Sequence, residues 1–158
     1  VIHNAGGLKI TAFEVDHSPI KPAFGYRFDY LGRSVVVSGD TVVSKGLERA
    51  ATDADLLLTD ALSHKLIHSL ARAATLAGAD KRAQVLRDVL DYHVDTRNLD
   101  GLAARSNIRQ VALYHLVPPT RNAVMEKIFT RDIATNVVMT HDGMRFWLPA
   151  NSDEIRVN

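Results

Sequence analysis

Cysteine is absent from all 158 residues. That excludes disulfides, thiolate metal ligands and a cysteine nucleophile, so any bound metal must be held by nitrogen and oxygen. An excess of one charge is also lacking: 19 Lys and Arg against 18 Asp and Glu leave a net +1. Bulk electrostatic capture of nucleic acid or of an anionic membrane is therefore not indicated. No apolar run approaches the length of a membrane span, and no signal peptide is visible. The reading is of a protein with no membrane partner, from cytoplasm or periplasm. Gly6-Gly7 lacks the Lys-Ser or Lys-Thr of a phosphate loop, and no Gly-x-Ser-x-Gly elbow supports a serine hydrolase.

What is present alternates between strand and helix patterns. Apolar runs at 9–15, 34–38 and 110–114 read as strands, and the alternation Phe24, Tyr26, Phe28, Tyr30 reads as a half-buried one, its aromatics serving sheet packing. Leu31-Gly32-Arg33 is short enough for a hairpin turn. A helix between Thr41 and Asp53 separates the Val35-Val36-Val37 run from Leu56-Leu57-Leu58, the order of a parallel crossover unit. Two helices follow: Ser63 caps the first, with Leu66, Ile67, Leu70 and Ala74 as its apolar stripe and Gly78 at its end, and Asp80 caps the second. Further helices are predicted at 97–106 and 123–129. Final strands at 137–139 and 145–148 are joined through the turn His141-Asp142-Gly143. With no repeat or linker, residues 1–158 form a single α/β unit.

His17, Asp40 and His115 each follow a predicted strand directly. Strand ends hold side chains rigidly beside loops that can open a cleft, and two imidazoles with a carboxylate suit zinc or a similar divalent ion. The same residues also fit structural hydrogen bonding, and Asp40 after Gly39 fits a plain turn. His64 and His68, spaced i, i+4 on a helix, can in principle hold a metal, but they flank an apolar stripe and read as solvated or capping. His3 lies in a segment with no interpretable pattern, and His141 reads as surface. Lys21, Arg27 and Arg33 read as solvated.

Four segments in order carry a family resemblance: Val15-Asp16-His17-Ser18-Pro19 with Ala23-Phe24-Gly25-Tyr26-Arg27; Ser38-Gly39-Asp40-Thr41; His93-Val94-Asp95-Thr96; and Tyr114-His115-Leu116-Val117-Pro118-Pro119. Together, over about residues 9–149, they resemble the second half of the metallo-β-lactamase superfamily, in its ribonuclease Z-like and arylsulfatase-like branch. The resemblance implies an αββα sandwich of which this chain is the C-terminal portion, with residues 63–92 an inserted helical pair. It implies a dinuclear, metal-dependent hydrolase of phosphodiester or related ester bonds, with zinc or possible manganese cofactors activating a shared water. His17 and His115 would be ligands, Asp40 a carboxylate bridging two metals, and His93 a general acid rather than a ligand. Asp60 and Thr96 would support the ligands or His93 from behind.

The departures narrow this expectation. The superfamily's His-x-His-x-Asp-His motif is missing, so only three expected ligands are here and the isolated 158 residues are expected to bind metal weakly and be inactive. The chain opens on Val1 rather than Met, which favours sequence missing upstream over a natural fragment or a degenerate relative without metal. An exposed sheet edge and apolar face are then expected. Members that process transfer RNA carry a long arm between the His17-type and Asp40-type segments, but only 23 positions separate them here. RNA therefore stays open without being favoured, beside a smaller phosphodiester, an aryl sulfate or a lactone-like ester. The helical pair would form a lid or a homodimer contact. From a different class, a non-catalytic α/β binding module would hold no metal.

Overall fold

A computed structural model describes residues 1–131, 133–134 and 136–158. Its main sheet has seven strands in sequence order: β1 (His3–Ala5), β2 (Leu8–His17), β3 (Ile20–Tyr30), β4 (Arg33–Val37), β5 (Leu56–Leu62), β6 (Gln110–Val117) and β7 (Val137–Met139). β1 to β4 are antiparallel neighbours, while β4 to β7 are parallel. The switch is set by the connections. Leu31 and Gly32 both take positive φ, +46° and +77°, which matches the twist of a tight hairpin between Tyr30 and Arg33. From β4 onward each link carries a helix, which a parallel crossover needs.

α1 (Lys45–Ala51) starts at Ser44, whose hydroxyl accepts from the Leu47 amide. Arg27 closes its far end by donating to the Ala50 and Thr52 carbonyls at 2.7 and 2.8 Å while pairing with Asp29. Arg27 is thus a cap, not the solvated residue its sequence suggests. α2 (His64–Leu76) is capped by Ser63 as predicted, and Gly78 follows its end at φ +69°. α3 (Asp80–Asp88) differs from expectation: Asp80 is its first residue, and Ala79 occupies the cap with no side-chain bond. A 3₁₀ turn at Val89–Asp91, another at Thr96–Asn98, then α4 (Leu99–Ser106) and α5 (Ala123–Thr130) complete the helices.

One sheet face carries the core. Val36, Leu57, Val111 and Leu113 pack with Leu47 and Ala51 of α1, Leu99 and Leu102 of α4, and Phe129 of α5. On the opposite face Phe24, Tyr26 and Tyr30 keep 47%, 39% and 49% of their surface in solvent, and Val35, Val37 and Leu58 are only half-buried. The aromatic series therefore lies on the open face rather than in sheet packing, and the expected apolar face is present among the described residues. The short edge strands β1 and β7 are the expected sheet edges.

Three further expectations are corrected. The strands at 137–139 and 146–147 belong to different sheets: β7 extends the main sheet, and β8 (Phe146–Trp147) pairs with β9 (Arg156–Val157). The stripe of α2 is rotated, burying Ile67, Ala71 and Ala74 and leaving Leu70 exposed. Arg33 is buried, 3.4 Å from Asp55, and donates to the Glu154 carbonyl. Among the described residues, no helix is long and apolar enough to cross a membrane.

Candidate active site

Strand direction gathers the candidate residues. β2 and β4 both run antiparallel to β3, and β4, β5 and β6 are mutually parallel, so all four point the same way. Residues at or just past their carboxyl ends share one rim of the sheet, the usual ligand edge of open α/β sheets. His17, Asp40, Asp60 and His115 lie there.

Local irregularities then aim the side chains. β2 shifts register between Val15 and His17. β6 shifts against β5 between Tyr114 and Leu116, which leaves His115 as the extra residue of a bulge with φ +43°. A histidine held at positive φ is uncommon and strained, a feature that concentrates at ligand-binding positions. Gly39 takes φ +67°, and a Cβ there would lie 2.7 Å from the Phe24 carbonyl oxygen, so only glycine allows the turn that presents Asp40. Thr41 ties the two loops together. Its hydroxyl accepts from the Asp16 amide at 3.2 Å and donates to the Asp16 carbonyl at 3.0 Å, while the Val42 amide bonds the same carbonyl.

Asp40 consequently sits between two imidazoles. Its Oδ2 is 3.9 Å from His17 Nε2 and its Oδ1 is 3.3 Å from His115 Nδ1. His93 joins them, its ring centroid 5.6 Å from His17 and 5.3 Å from His115. Asp40, His93 and His115 each offer a ligand atom within 4.8 Å of one another. His17 Nδ1 is buried with no hydrogen-bond partner among the described residues. The distances also admit His93 as a donor, a position the sequence reading kept outside the ligand set.

Behind His93 lies Asp60, fully buried. Its Oδ2 is 2.7 Å from His93 Nδ1 and accepts from the Val94 amide at 3.3 Å and the Thr41 amide at 3.5 Å. Burial raises the Asp60 carboxyl above the usual carboxylate range, opposed by the hydrogen bond and charge of His93. With Asp60 ionised it can only accept, so His93 carries its proton on Nδ1 and leaves Nε2 free toward Asp40 and His115. Thr96 is placed apart: it is buried and lines a separate cavity with Ser63, His64, Arg97 and Phe129. His64 and His68 stack 4.3 Å apart on α2 and do not enter the cluster, while His3 and His141 are exposed.

The sequence reading missed two neighbours. Tyr92 packs between His17 and His93, with ring centroids 5.1 and 5.0 Å away. Its only signal was adjacency to His93. Tyr114, beside His115, is raised in pKa by burial, with a hydrogen bond to Ser38 opposing the shift and the Asp60 and Asp40 charges adding to it. Ser38 in turn accepts from the Asp60 amide at 3.3 Å.

No protein-family model matches the chain. Among curated proteins it is 34% identical over 112 residues to ribonuclease Z of Mycobacterium avium, covering 71% of this chain and 36% of that one. Ribonuclease Z of Mycolicibacterium gilvum is 30% identical over 118 residues, 75% of this chain and 37% of its own. The chain thus spans little more than a third of the length of these relatives. Among solved structures, the metallo-β-lactamase fold protein YhfI of Bacillus subtilis aligns with a TM-score of 0.60 at 16% identity, over 89% of this chain and 50% of that chain. The short form of human tRNase Z aligns at 0.51 and 19%, over 73% and 38%. The parallel strand ends with His17, Asp40 and His115, the His93 beside them and these likenesses agree. The chain has a metallo-β-lactamase-like fold and is similar in sequence to ribonuclease Z proteins over 71–75% of its length.

Proposed function

We propose that this chain carries part of the active site of a dinuclear, metal-dependent hydrolase that cleaves phosphodiester or related ester bonds, with His93 as the proton donor. The observation that supports it most is the convergence of His17 and His115 on opposite oxygens of one carboxylate, Asp40. A carboxylate flanked in that way suits a bridging role, with His17 Nε2 and His115 Nδ1 the imidazole nitrogens that face it. The nitrogen and oxygen donor set fits zinc, with manganese a second candidate. When bound, such ions supply Lewis acidity that polarises the scissile group and lowers the pKa of water.

The residues of this chain do the rest. His17, Asp40 and His115 would hold the cations. The imidazolium form of His93, held through Nδ1–H on Asp60, would give its Nε2 proton to the leaving oxygen. Asp60 would fix the ring and stabilise the imidazolium that gives up this proton. Thr96, at the start of its 3₁₀ turn, anchors the segment that follows His93. Three ligands cannot close two metal sites, so the 158 residues by themselves are expected to bind metal weakly and turn over little.

The segment from His17 to Asp40 is filled by β3 and β4, with no room for an RNA-gripping arm, which supports a small ester over transfer RNA. Exposed Leu70, Leu76 and Val85 on the α2–α3 pair support reading residues 63–92 as an inserted homodimer contact. The test is hydrolysis of bis(4-nitrophenyl) phosphate by the full-length gene product with zinc or manganese, alongside metal analysis. Metal-stimulated turnover with close to two ions per chain is expected. A folded protein with neither metal nor turnover would overturn the proposal in favour of a non-catalytic module.

A further inference from the structure

A cleft of about 770 Å³ adjoins the cluster, lined by His17, Pro19, Ile20, Asp88, Asp91 and Tyr92, with Ser18 beside them. It shares His17 with the candidate active site, so a substrate centred near Asp40 extends into it. Its walls come from the β2–β3 hairpin and the end of α3 with the turn after it. We propose that this cleft seats one uncharged aryl group of the ester, so that the substrate is a small aryl ester and not a polynucleotide. The inference rests on the hydrolase reading above.

Shape and surface chemistry carry it. Tyr92 is held by its contacts with both His17 and His93, which fixes its ring beside the reacting centre. Fixed aromatic rings favour offset or edge-to-face partners. Ile20 keeps 62% of its surface in solvent and, with Pro19, provides apolar wall opposite. Charge excludes the alternative. The charged groups on the lining are the carboxylates of Asp88 and Asp91, and no Lys or Arg lines the cleft among the described residues. A strand of RNA would bring further phosphates against those carboxylates, whereas polynucleotide grooves are lined with cations. A neutral ring brings no such repulsion. His17 therefore separates a cation-binding side from an aryl-binding side.

The test uses binding, read by NMR on the Ile20 methyls and the Tyr92 ring, with diphenyl phosphate and dimethyl phosphate as probes. They carry the same single charge and differ in the aryl groups. Diphenyl phosphate is expected to shift both residues and dimethyl phosphate neither. Tyr92→Ala should weaken diphenyl phosphate about tenfold and Tyr92→Phe should leave it nearly unchanged. Ile20→Asp, at an exposed position with little risk to folding, should also weaken it. Equal responses to the two probes, or unchanged affinity in both Tyr92→Ala and Ile20→Asp, would overturn the proposal. The parent reading fails separately: aryl binding at Tyr92 with no metal-stimulated turnover removes the hydrolase and keeps the cleft. Turnover of bis(4-nitrophenyl) phosphate that ignores Tyr92→Ala removes the cleft and keeps the hydrolase.

Discussion

Gly39→Ala tests whether the turn before Asp40 is dictated by sterics. The new Cβ meets two penalties. At φ +67° an L side chain costs about 1–2 kcal/mol. The methyl also lies 2.7 Å from the Phe24 carbonyl oxygen. Phe24 is paired with Glu14 inside the β2–β3 ladder, so that oxygen cannot retreat without disturbing the sheet. Overpacking against a rigid neighbour adds about 1–3 kcal/mol. The sum, about 2–5 kcal/mol, is a large share of a typical folding free energy. With a urea dependence of about 2 kcal/mol per molar, the unfolding midpoint should fall by roughly 1–2.5 M. Equilibrium urea denaturation followed by circular dichroism reads this directly. A midpoint within about 0.2 M of wild type, with an unchanged slope, would refute the steric argument and loosen the case that Asp40 is held by design.

Other consequences follow from the same geometry. Asp60→Asn replaces the charged acceptor that orients His93 by a neutral amide, and activity of the full-length enzyme should fall about 10–100-fold, measured by steady-state kinetics. The same variant has a pH signature in metal-free protein. Asp60 is raised in the folded state, so its contribution is intact below its unfolded value near 3.8 and lost as pH rises through the folded pKa. Relative to Asp60→Asn, wild type should therefore lose stability with rising pH across that window, as read by denaturation at a series of pH values. Ser63→Ala removes the hydroxyl that accepts from the Leu66 amide and should cost about 0.5–2 kcal/mol by urea denaturation. Arg33→Leu strips the buried Asp55 of its guanidinium. Because Arg109 stays 3.6 Å away, the loss should fall below the roughly 3–5 kcal/mol of a broken buried pair.

Much of the fold was legible because burial and period coincide. The Leu56-Leu57-Leu58 run is apolar on both faces, which reads as a buried parallel strand, and the β-branched Val35-Val36-Val37 run reads as strand. Ser63, through its hydroxyl, and Gly78, through a backbone free to take positive φ, bracket α2 by local physics. The failures are where the deciding partner is distant. His3-Asn4-Ala5 has no apolar alternation, and pairing with β2 alone makes it a strand. The turn His141-Asp142-Gly143 reads as a hairpin, yet β7 is claimed by β6 and β8 by β9. Arg27 and Arg33 look solvated until the carbonyls and carboxylate they serve are placed beside them.

The candidate site divides along the same line. His17, Asp40 and His115 were visible because each follows an apolar run; His17 ends β2 and His115 falls inside β6, and strand direction puts all three on one rim. The bulge at His115 was not visible, since Tyr114-His115-Leu116 holds no glycine to announce a positive φ. Tyr92 was passed over because nothing in its own sequence neighbourhood says which rings it will touch.

The central claim is that His17, Asp40 and His115 form a cation-binding edge. Zinc titration of the 158-residue chain, followed by the imidazole nitrogen resonances in long-range ¹H–¹⁵N spectra, tests it most directly. The account predicts that the His17 and His115 resonances move together, weakly but saturably, and that Asp40→Ala abolishes both responses. Zinc that perturbs only His64 and His68, or an Asp40→Ala variant that responds like wild type, would contradict it.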